Sequence, residues 1–456
     1  MFSLALTLYV VGFLLLGLRR PFVWVLAYLY IDIMAPQKVV WAILPSLQIS
    51  LVAFIAAFAG WLFVDRKEHS RFTLRQGLML ALLLYCGATT LSADFPVEAA
   101  AKWAWVWKAL VFAIFLPLAL TTRLRIEAAA LVMCLSIGAI VIGGAIKTLA
   151  GGGGYASLHL LVNDNTGLYE GSIISCVAVA AIPLIGWLSR HGTLFPPEWR
   201  VKVFAIALGF ACLLIPIGTQ ARTGLLCIGV LALLSLRAAK RRFLYLALMA
   251  AVGLTAIPFL PESYTKRMSS IENHAADESA STRVAVWKWT LEYVGDHPFG
   301  GGFDAYRQNK LRYQTAKAEG DGNTVAVQYG EVEDKARAYH SSYFEMLGEQ
   351  GWPGLTIWLW LQLAGLWQME RLRRRWGKRT GPGEAWAAPL ATALQHAQLI
   401  YLAGSVFVGI AYQPFVLMLI GMQCGLWSYL KRIDSPAAPR FAPRRKALKA
   451  DAVTAS

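Results

Sequence analysis

The sequence predicts an all-α polytopic membrane protein, and three observations support that prediction. First, 57% of the 456 residues are hydrophobic and only 15% are charged, whereas a soluble domain carries about 25% charged residues. Second, the mean hydropathy of +0.49 excludes disorder of the whole chain, which requires low hydrophobicity. Third, the apolar residues form long unbroken runs, unlike the short alternating segments of a membrane β-barrel.

The apolar runs predict 12 or 13 transmembrane helices. The runs lie at residues 2–18, 21–34, 48–64, 76–92, 103–121, 127–148, 171–188, 201–218, 223–236, 243–260, 353–369, 388–410 and 413–430. Several are shorter than the roughly 20 residues that a full span requires. The first two runs are compatible with one broken or tilted unit, and this leaves the count at 12 or 13.

Four regions follow from this distribution. We expect N-terminal transmembrane helices in residues 1–260, a large periplasmic loop with short helices in residues 261–340, C-terminal transmembrane helices in residues 341–430, and a basic, disordered cytoplasmic tail in residues 431–456. The net charge of +16 comes mainly from short loops on one side of the predicted membrane, as in cytoplasmic loops. This charge pattern places the large loop outside the cytoplasm and argues against nucleic acid as a partner.

The large loop contains a predicted helix and a glycine cluster. Ser281 is suited to cap a helix that begins at Thr282, and the apolar residues that follow recur at helical spacing. The helix is expected to stop before Pro298. Glycines 300–302 fit two roles equally well, a close approach of the backbone to a ligand or a flexible turn.

The end of the loop predicts a second short helix. It follows His340 and breaks at Gly351, and Pro353 opens the next span, where a missing N–H group costs nothing. His340 is then expected just outside the bilayer, at the mouth of the helix bundle.

Three basic residues are candidates for binding an anion. Arg222 lies in a short outer turn, where an arginine runs against the positive-inside bias. We favour the interpretation that Arg222 forms an anion site facing a cavity over the alternative that its side chain reaches lipid headgroups. Arg283 lies in the first turn of the predicted loop helix, and by itself it fits a surface arginine. Lys108 lies inside a span next to tryptophans, and it is equally compatible with a headgroup contact and with a cavity.

Arginine and histidine together suggest a chemistry. Arginine binds phosphate through two parallel hydrogen bonds, and the His340 ring is suited to take a proton from a hydroxyl group. The sequence contains no His-Glu-x-x-His or comparable metal-binding spacing, so we expect no metal and no cofactor. The residues therefore fit group transfer from a phosphate-activated, lipid-linked donor.

Three motifs resemble the O-antigen ligase and polymerase superfamily. They are QARTG around Arg222, STRVAVWKWTLEYVGDHPFGGGFDAY at 281–306 and YHSSYFEMLGEQGWPGL at 339–355. The family pattern has an arginine at the end of a span, an Arg-x-x-x-Trp helix before a glycine-rich turn, and a histidine before the next span. Ala221 and Ser341 depart from the serine and asparagine that are frequent there. The pattern also resembles ligase-like members found with exosortase-linked polysaccharide systems.

The resemblance implies a GT-C-type glycosyltransferase of the bacterial inner membrane. Such ligases transfer a glycan from undecaprenyl diphosphate to a sugar hydroxyl of the lipid A–core on the periplasmic face, with inversion and without a metal. Carried over to this sequence, Arg222 and Arg283 hold the donor diphosphate, with Lys108 as an additional positive charge. His340 is the catalytic base.

Three alternative functions remain open at the level of sequence. An O-antigen polymerase and a protein O-oligosaccharyltransferase use the same donor and differ in the acceptor. A transporter of lipid-linked sugars is the least favoured alternative, because it needs a basic cavity but no base.

Overall fold

The fold is a bundle of long apolar helices with a polar insertion at one end. A computed structural model describes residues 2–40, 47–65, 67, 72–151, 158, 160, 167–237, 241–244, 247, 251, 278–319, 326–379, 381 and 383–434. The helices discussed below are α1 (Phe2–Arg19), α2 (Phe22–Met34), α3 (Pro36–Val39), α4 (Ile49–Phe63), α5 (Leu74–Leu91), α6 (Pro96–Ala119), α7 (Arg123–Leu149), α8 (Gly171–His191), α9 (Trp199–Gly218), α10 (Arg222–Leu236), α11 (Glu278–Asp296), α12 (Ser342–Trp376), α13 (Ala387–Gly404) and α14 (Pro414–Asp434).

The structure confirms the all-α membrane architecture. Within the described residues, five helices, α5 to α9, are long and apolar enough to cross a membrane, and α1, α2, α4 and α10 are apolar but shorter. The predicted run at 243–260 and the basic tail after Asp434 lie almost entirely outside the described residues. The count of 12 or 13 spans therefore stays a prediction.

Local sequence features explain where several helices begin. Thr73 and Gln76 form a capping box before α5, because each side chain pairs with the other residue's backbone N–H group. Pro96 occupies the first turn of α6, where its missing N–H group is not needed. Gly351 interrupts α12 with a left-handed backbone (φ 61°, ψ −167°), and this confirms the predicted break there.

The C-terminal helices form the centre of the bundle. α13 packs against α8 and α12, and α14 packs against α6. Leu394, Ile400 and Leu417 illustrate this core, since each is at most 1% exposed. The start of α12 and the end of α13 are joined by a hydrogen bond from the Ser342 N–H group to the Ser405 carbonyl. They meet at the end of the bundle that carries the polar insertion, which we call the loop side.

The polar insertion contains a β-hairpin that the sequence analysis missed. Strands β1 (Lys310–Glu319) and β2 (Ala326–Lys335) are antiparallel, with Lys310 opposite Lys335. Their sequences, KLRYQTAKAE and AVQYGEVEDK, contain few apolar residues, so no half-buried alternating pattern marks them as strands. The loop helix was predicted, but residues 278–281 are already helical, so Thr282 is not its first residue and Ser281 is not its N-cap.

Candidate functional site

The glycine cluster joins the loop to the kink of α12. The backbone N–H groups of Gly301 and Gly302 donate to the carbonyls of Gly348 (3.1 Å) and Glu349 (2.9 Å). A Cβ atom at Gly300, where φ is +82°, would lie 2.5 Å from the Glu349 carbonyl oxygen. The glycines thus allow two segments of the protein's own backbone to approach each other closely. In the structure they serve neither as a contact to a ligand nor as a flexible turn.

The Arg-x-x-x-Trp motif attaches α11 to the segment that carries His340. Arg283 and Trp287 are four residues apart and therefore share one face of the helix. The Trp287 indole N–H group donates to the Tyr339 carbonyl (2.9 Å). Its ring stacks on Phe344, with centroids 5.0 Å apart and ring planes 5° apart. These contacts fix the backbone on both sides of His340.

His340 is further held by hydrogen bonds at two anchors. On its N-terminal side, the side chain of the buried Asn309 bonds to both backbone groups of Arg337, at 2.7 and 2.9 Å. On its C-terminal side, the Ser342 N–H group donates to the Ser405 carbonyl (2.8 Å). Between them, His340 adopts a left-handed backbone with φ +49°, which is uncommon for a non-glycine residue.

The surroundings of His340 favour its neutral form. Partial burial of the ring, followed by the positive charges of Arg283 and Arg337, lowers the pKa of His340 to about 4. At neutral pH the imidazole is therefore uncharged and able to accept a proton. Arg283 lies one helical turn before Trp287, which donates to the Tyr339 carbonyl, so α11 brings both residues toward the segment that carries His340.

Arg222 converges on the same end of α13 as His340. Arg222 is the first residue of α10, and Cys227, in the second turn, donates from its thiol to the Ile400 carbonyl (3.8 Å). Gly404 packs so closely that a Cβ atom there would lie 2.8 Å from the Cys227 sulfur. The next residue, Ser405, accepts a hydrogen bond from the Ser342 N–H group, so α10 and the start of α12 both pack against the last turns of α13.

Lys108 has a different environment from the two arginines. It is half-buried on α6, and its charge interacts with the carboxylate of Asp32 on α2. This electrostatic interaction associates Lys108 with α2, and none of the contacts described for the resolved part of the chain joins it to Arg222, Arg283 or His340. Its assignment to the donor site stays a prediction.

A charged cluster around Lys102 was missed by the sequence analysis. The Lys102 ammonium lies 2.8 Å from Glu345 and 2.7 Å from the fully buried Glu349. Glu349 also accepts a hydrogen bond from the Asp304 N–H group (3.0 Å). The two glutamates are one helical turn apart at the start of α12. Two glutamates four residues apart on a helix repel each other, and intramembrane charges are normally paired. This spacing is therefore a sequence signal that predicts a partner cation.

The site offers binding groups for an anion. Arginine side chains and the N-terminus of α10 are suited to phosphate oxygens. Among the described residues, no group of three or more histidines, cysteines, aspartates or glutamates is arranged to hold a metal ion.

Comparisons with known proteins divide the chain into two parts. Residues 1–193 match a family of unknown function, DUF5935. Residues 204–359 match the family described as O-antigen ligase, and that range contains Arg222, Arg283 and His340. A search of curated proteins found no match. Residues 204–359 of this multi-pass membrane protein are thus similar to the O-antigen ligase family, and this match supports a glycan-transferring function of the ligase or polymerase type.

Proposed function

We propose that the protein is an O-antigen ligase of the bacterial inner membrane. It transfers a glycan from undecaprenyl diphosphate to a sugar hydroxyl of the lipid A–core, and its loop side faces the periplasm. The observation that carries this proposal is the attachment of the Arg283 helix to the His340 segment, through the hydrogen bond from Trp287 to the Tyr339 carbonyl (2.9 Å) and the stacking of Trp287 on Phe344. The low pKa of His340 is consistent with a neutral base at this position.

The leaving diphosphate is the group that the arginines recognise. Breaking the bond between the anomeric carbon and the phosphate oxygen leaves the electron pair, and therefore additional negative charge, on the diphosphate. Guanidinium groups at fixed positions stabilise that charge as it develops. Arg222 and Arg283 perform this role, and Lys108 is proposed to add positive charge to the same field. These side chains supply the electrostatic stabilisation without requiring a metal.

His340 activates the acceptor. Its ring nitrogen takes the hydroxyl proton while the hydroxyl oxygen forms a bond to the anomeric carbon. Attack on the face opposite the leaving diphosphate inverts the configuration of that carbon. General-base assistance of this kind contributes roughly 10²- to 10⁴-fold to a rate.

Donor binding is expected to strengthen the base. The free site contains Arg283 and Arg337, whose charges disfavour a protonated His340. A bound diphosphate offsets these charges and favours the imidazolium form. The base therefore gains proton affinity only after the donor has arrived, which limits unproductive protonation of the empty site.

A reconstituted transfer assay tests the proposal. Purified protein in lipid is mixed with undecaprenyl-diphosphate-linked glycan and rough lipopolysaccharide in EDTA. Glycan-bearing lipopolysaccharide is expected from the wild type but not from His340→Ala. The control variant is His191→Ala, which changes the last residue of α8 and is expected to form the product. The same product from a well-folded His340→Ala protein would contradict the assignment of the base.

The products also separate the alternative functions. Longer lipid-linked glycan with unmodified lipopolysaccharide would identify a polymerase, and glycan attached to an added protein acceptor would identify a protein O-oligosaccharyltransferase. A transporter would move the donor across the membrane without changing its covalent bonds. Any of these outcomes, with both substrates shown to be competent, would overturn the ligase assignment.

A further inference from the structure

The loop side also contains a cavity whose lining includes neither Arg222 nor Arg283. Its volume is about 500 Å³, which is within the range of ligand pockets. It lies between the start of α6, the first turn of α12, the short 3₁₀ helix at Ala305–Gln308 and the connection from α13 to α14 at residues 409–413.

Ionisable groups and aromatic rings share the wall of the cavity. The ionisable residues are Glu98, Lys102, Asp304, Arg307 and Glu345. Trp105, Tyr306 and Tyr412 supply aromatic rings. Carboxylates accept hydrogen bonds from hydroxyl groups, and aromatic rings provide rigid apolar surface. A sugar ring presents both hydroxyl groups and apolar C–H groups, so this wall matches its chemistry.

The charge of the wall argues against a second anion site. The Lys102 ammonium is already bound by Glu345 and Glu349, at 2.8 and 2.7 Å. Arg307 is the remaining cation, and it faces Glu98 and Asp304. Because acidic groups outnumber basic groups, a diphosphate would be repelled here, whereas a neutral polyhydroxyl ligand would not.

Several polar groups of the wall keep the capacity to bind a ligand. Arg307 lies 3.8 Å from Glu98 and 3.5 Å from Asp304, and Lys102 lies 3.9 Å from Asp304. These distances exceed the roughly 2.7–2.9 Å of a strong charge-assisted hydrogen bond. The Glu98 and Asp304 carboxylates are therefore able to accept hydrogen bonds from hydroxyl groups of a ligand.

The cavity is directly connected to the segment that carries His340. The Tyr306 ring packs edge-on against the ring of Tyr339, with centroids 5.7 Å apart. Glu345 follows in the first turn of α12 and is fixed by Lys102 and by the Ala411 N–H group (3.0 Å). The cavity wall therefore includes Tyr306, which packs on the residue before His340, and Glu345 of the helix that follows it.

We propose that this cavity is a sugar-binding subsite for a neutral pyranose ring of one of the two glycan substrates, an inference that rests on the proposed transferase function. The ring belongs either to the acceptor core or to the glycan of the donor. Its hydroxyl groups donate to Glu98 and Asp304, and its C–H face lies against the aromatic residues. The subsite would orient a sugar close to His340.

The test measures sugar binding independently of transfer. Full-length protein in lipid nanodiscs is titrated in ligand-observed NMR with two probes, a deacylated core oligosaccharide and a phosphate-free fragment of the O-polysaccharide. Asp304→Asn keeps the side-chain shape and tolerates the left-handed backbone of that position (φ +60°). A hydrogen bond to a charged group contributes about 1.5–3 kcal/mol, so Asp304→Asn and Glu98→Gln are each expected to weaken one probe about tenfold or more.

Controls separate this inference from the proposed function. Glu292→Gln removes an exposed carboxylate of α11 and is expected to bind both probes like the wild type. Binding of inorganic pyrophosphate is expected to remain in Asp304→Asn but to weaken in Arg222→Ala. Weaker binding of the core oligosaccharide by the variants would assign the subsite to the acceptor, and weaker binding of the O-polysaccharide fragment would assign it to the donor glycan.

Two outcomes would overturn the subsite. One is equal affinity of wild type, Asp304→Asn and Glu98→Gln for both probes, and the other is no binding of either probe to a wild type that is active in transfer. Sugar binding without any transfer would instead retain the subsite and contradict the ligase function.

Discussion

His340 combines solvent access with an unusually low proton affinity. The residue is partly exposed, yet partial burial of its ring and two arginine charges lower the pKa to about 4. A base with so low a pKa is always available at neutral pH, but it is weak in the empty site. Strong catalysis therefore requires that the donor change the electrostatics, and this dependence is open to measurement.

The pH profile of transfer should show two different pKa values. The dependence of kcat/KM for the donor reports the free enzyme, so activity is expected to fall only as the pH drops toward about 4. The dependence of kcat reports the enzyme–substrate complex, where the diphosphate offsets the arginine charges. As the pH is lowered, kcat should therefore begin to fall at a higher pH than kcat/KM does. A shared midpoint near the ordinary histidine value of about 6.5 would argue against a shifted base.

Arg283 is expected to act on both the donor and the base. Arg283→Ala should reduce the transfer rate about a hundredfold, since removing one donor of electrostatic stabilisation typically costs about 3 kcal/mol. Arg283→Lys should recover only part of the rate, because lysine lacks the planar fork of two donors. Steady-state kinetics of the three proteins provide the measurement.

Arg337 offers the matched control for that substitution. It also lowers the pKa of His340, but it pairs with Asp334 at 3.1 Å and has no assigned contact with the donor. Arg283→Ala and Arg337→Ala should both raise the pKa of the His340 ring in NMR titrations. Only Arg283→Ala should also lose transfer activity. A comparable loss of activity in both variants would indicate that Arg283 acts only through the base.

At the scale of elements, the start of α12 organises the site. It carries His340 at its N-terminal edge, accepts the glycine turn on its backbone, and presents Glu345 and Glu349 to Lys102 of α6. The same few turns therefore connect the loop, the base and the helix bundle. Disturbing one of these connections should affect the others.

Removing Lys102 should destabilise this junction. Lys102→Met leaves Glu345 and the fully buried Glu349 without their cation, and breaking a buried pair in this way costs about 3–5 kcal/mol. Thermal unfolding in detergent should show a clear loss of stability, and adding Glu345→Gln and Glu349→Gln should restore part of it. No recovery in the triple variant would mean that packing of the lysine stem, rather than its charge, stabilises the junction.

The local parts of this arrangement were predictable from sequence, and the non-local parts were not. The apolar runs and the break at Gly351 are encoded in neighbouring residues, so both were predicted. The docking of Gly300 on Glu349 joins residues about fifty positions apart, and the Lys102 cluster joins residues more than two hundred apart. The hairpin escaped because its strands have too few apolar residues to show a period.

Across the whole molecule, the polar insertion and the arginine-rich end of α12 lie at opposite ends of the same bundle. α12 carries Arg373, Arg374 and Arg375 in its last turn, whereas His340 directly precedes its first turn. Basic residues concentrate on the cytoplasmic side of membrane proteins. This asymmetry predicts that the insertion and the candidate site face away from the cytoplasm.

Cysteine labelling tests this orientation without altering the site. The six native cysteines are all buried, so an introduced cysteine should dominate the reaction with a membrane-impermeant maleimide. Glu292→Cys replaces a side chain on the loop side that is 67% exposed, and Arg374→Cys replaces one at the other end that is 75% exposed. In intact spheroplasts Glu292→Cys should be labelled, while Arg374→Cys should react only after the membrane is permeabilised. The reverse pattern would place the candidate site in the cytoplasm, where a periplasmic ligase could not operate.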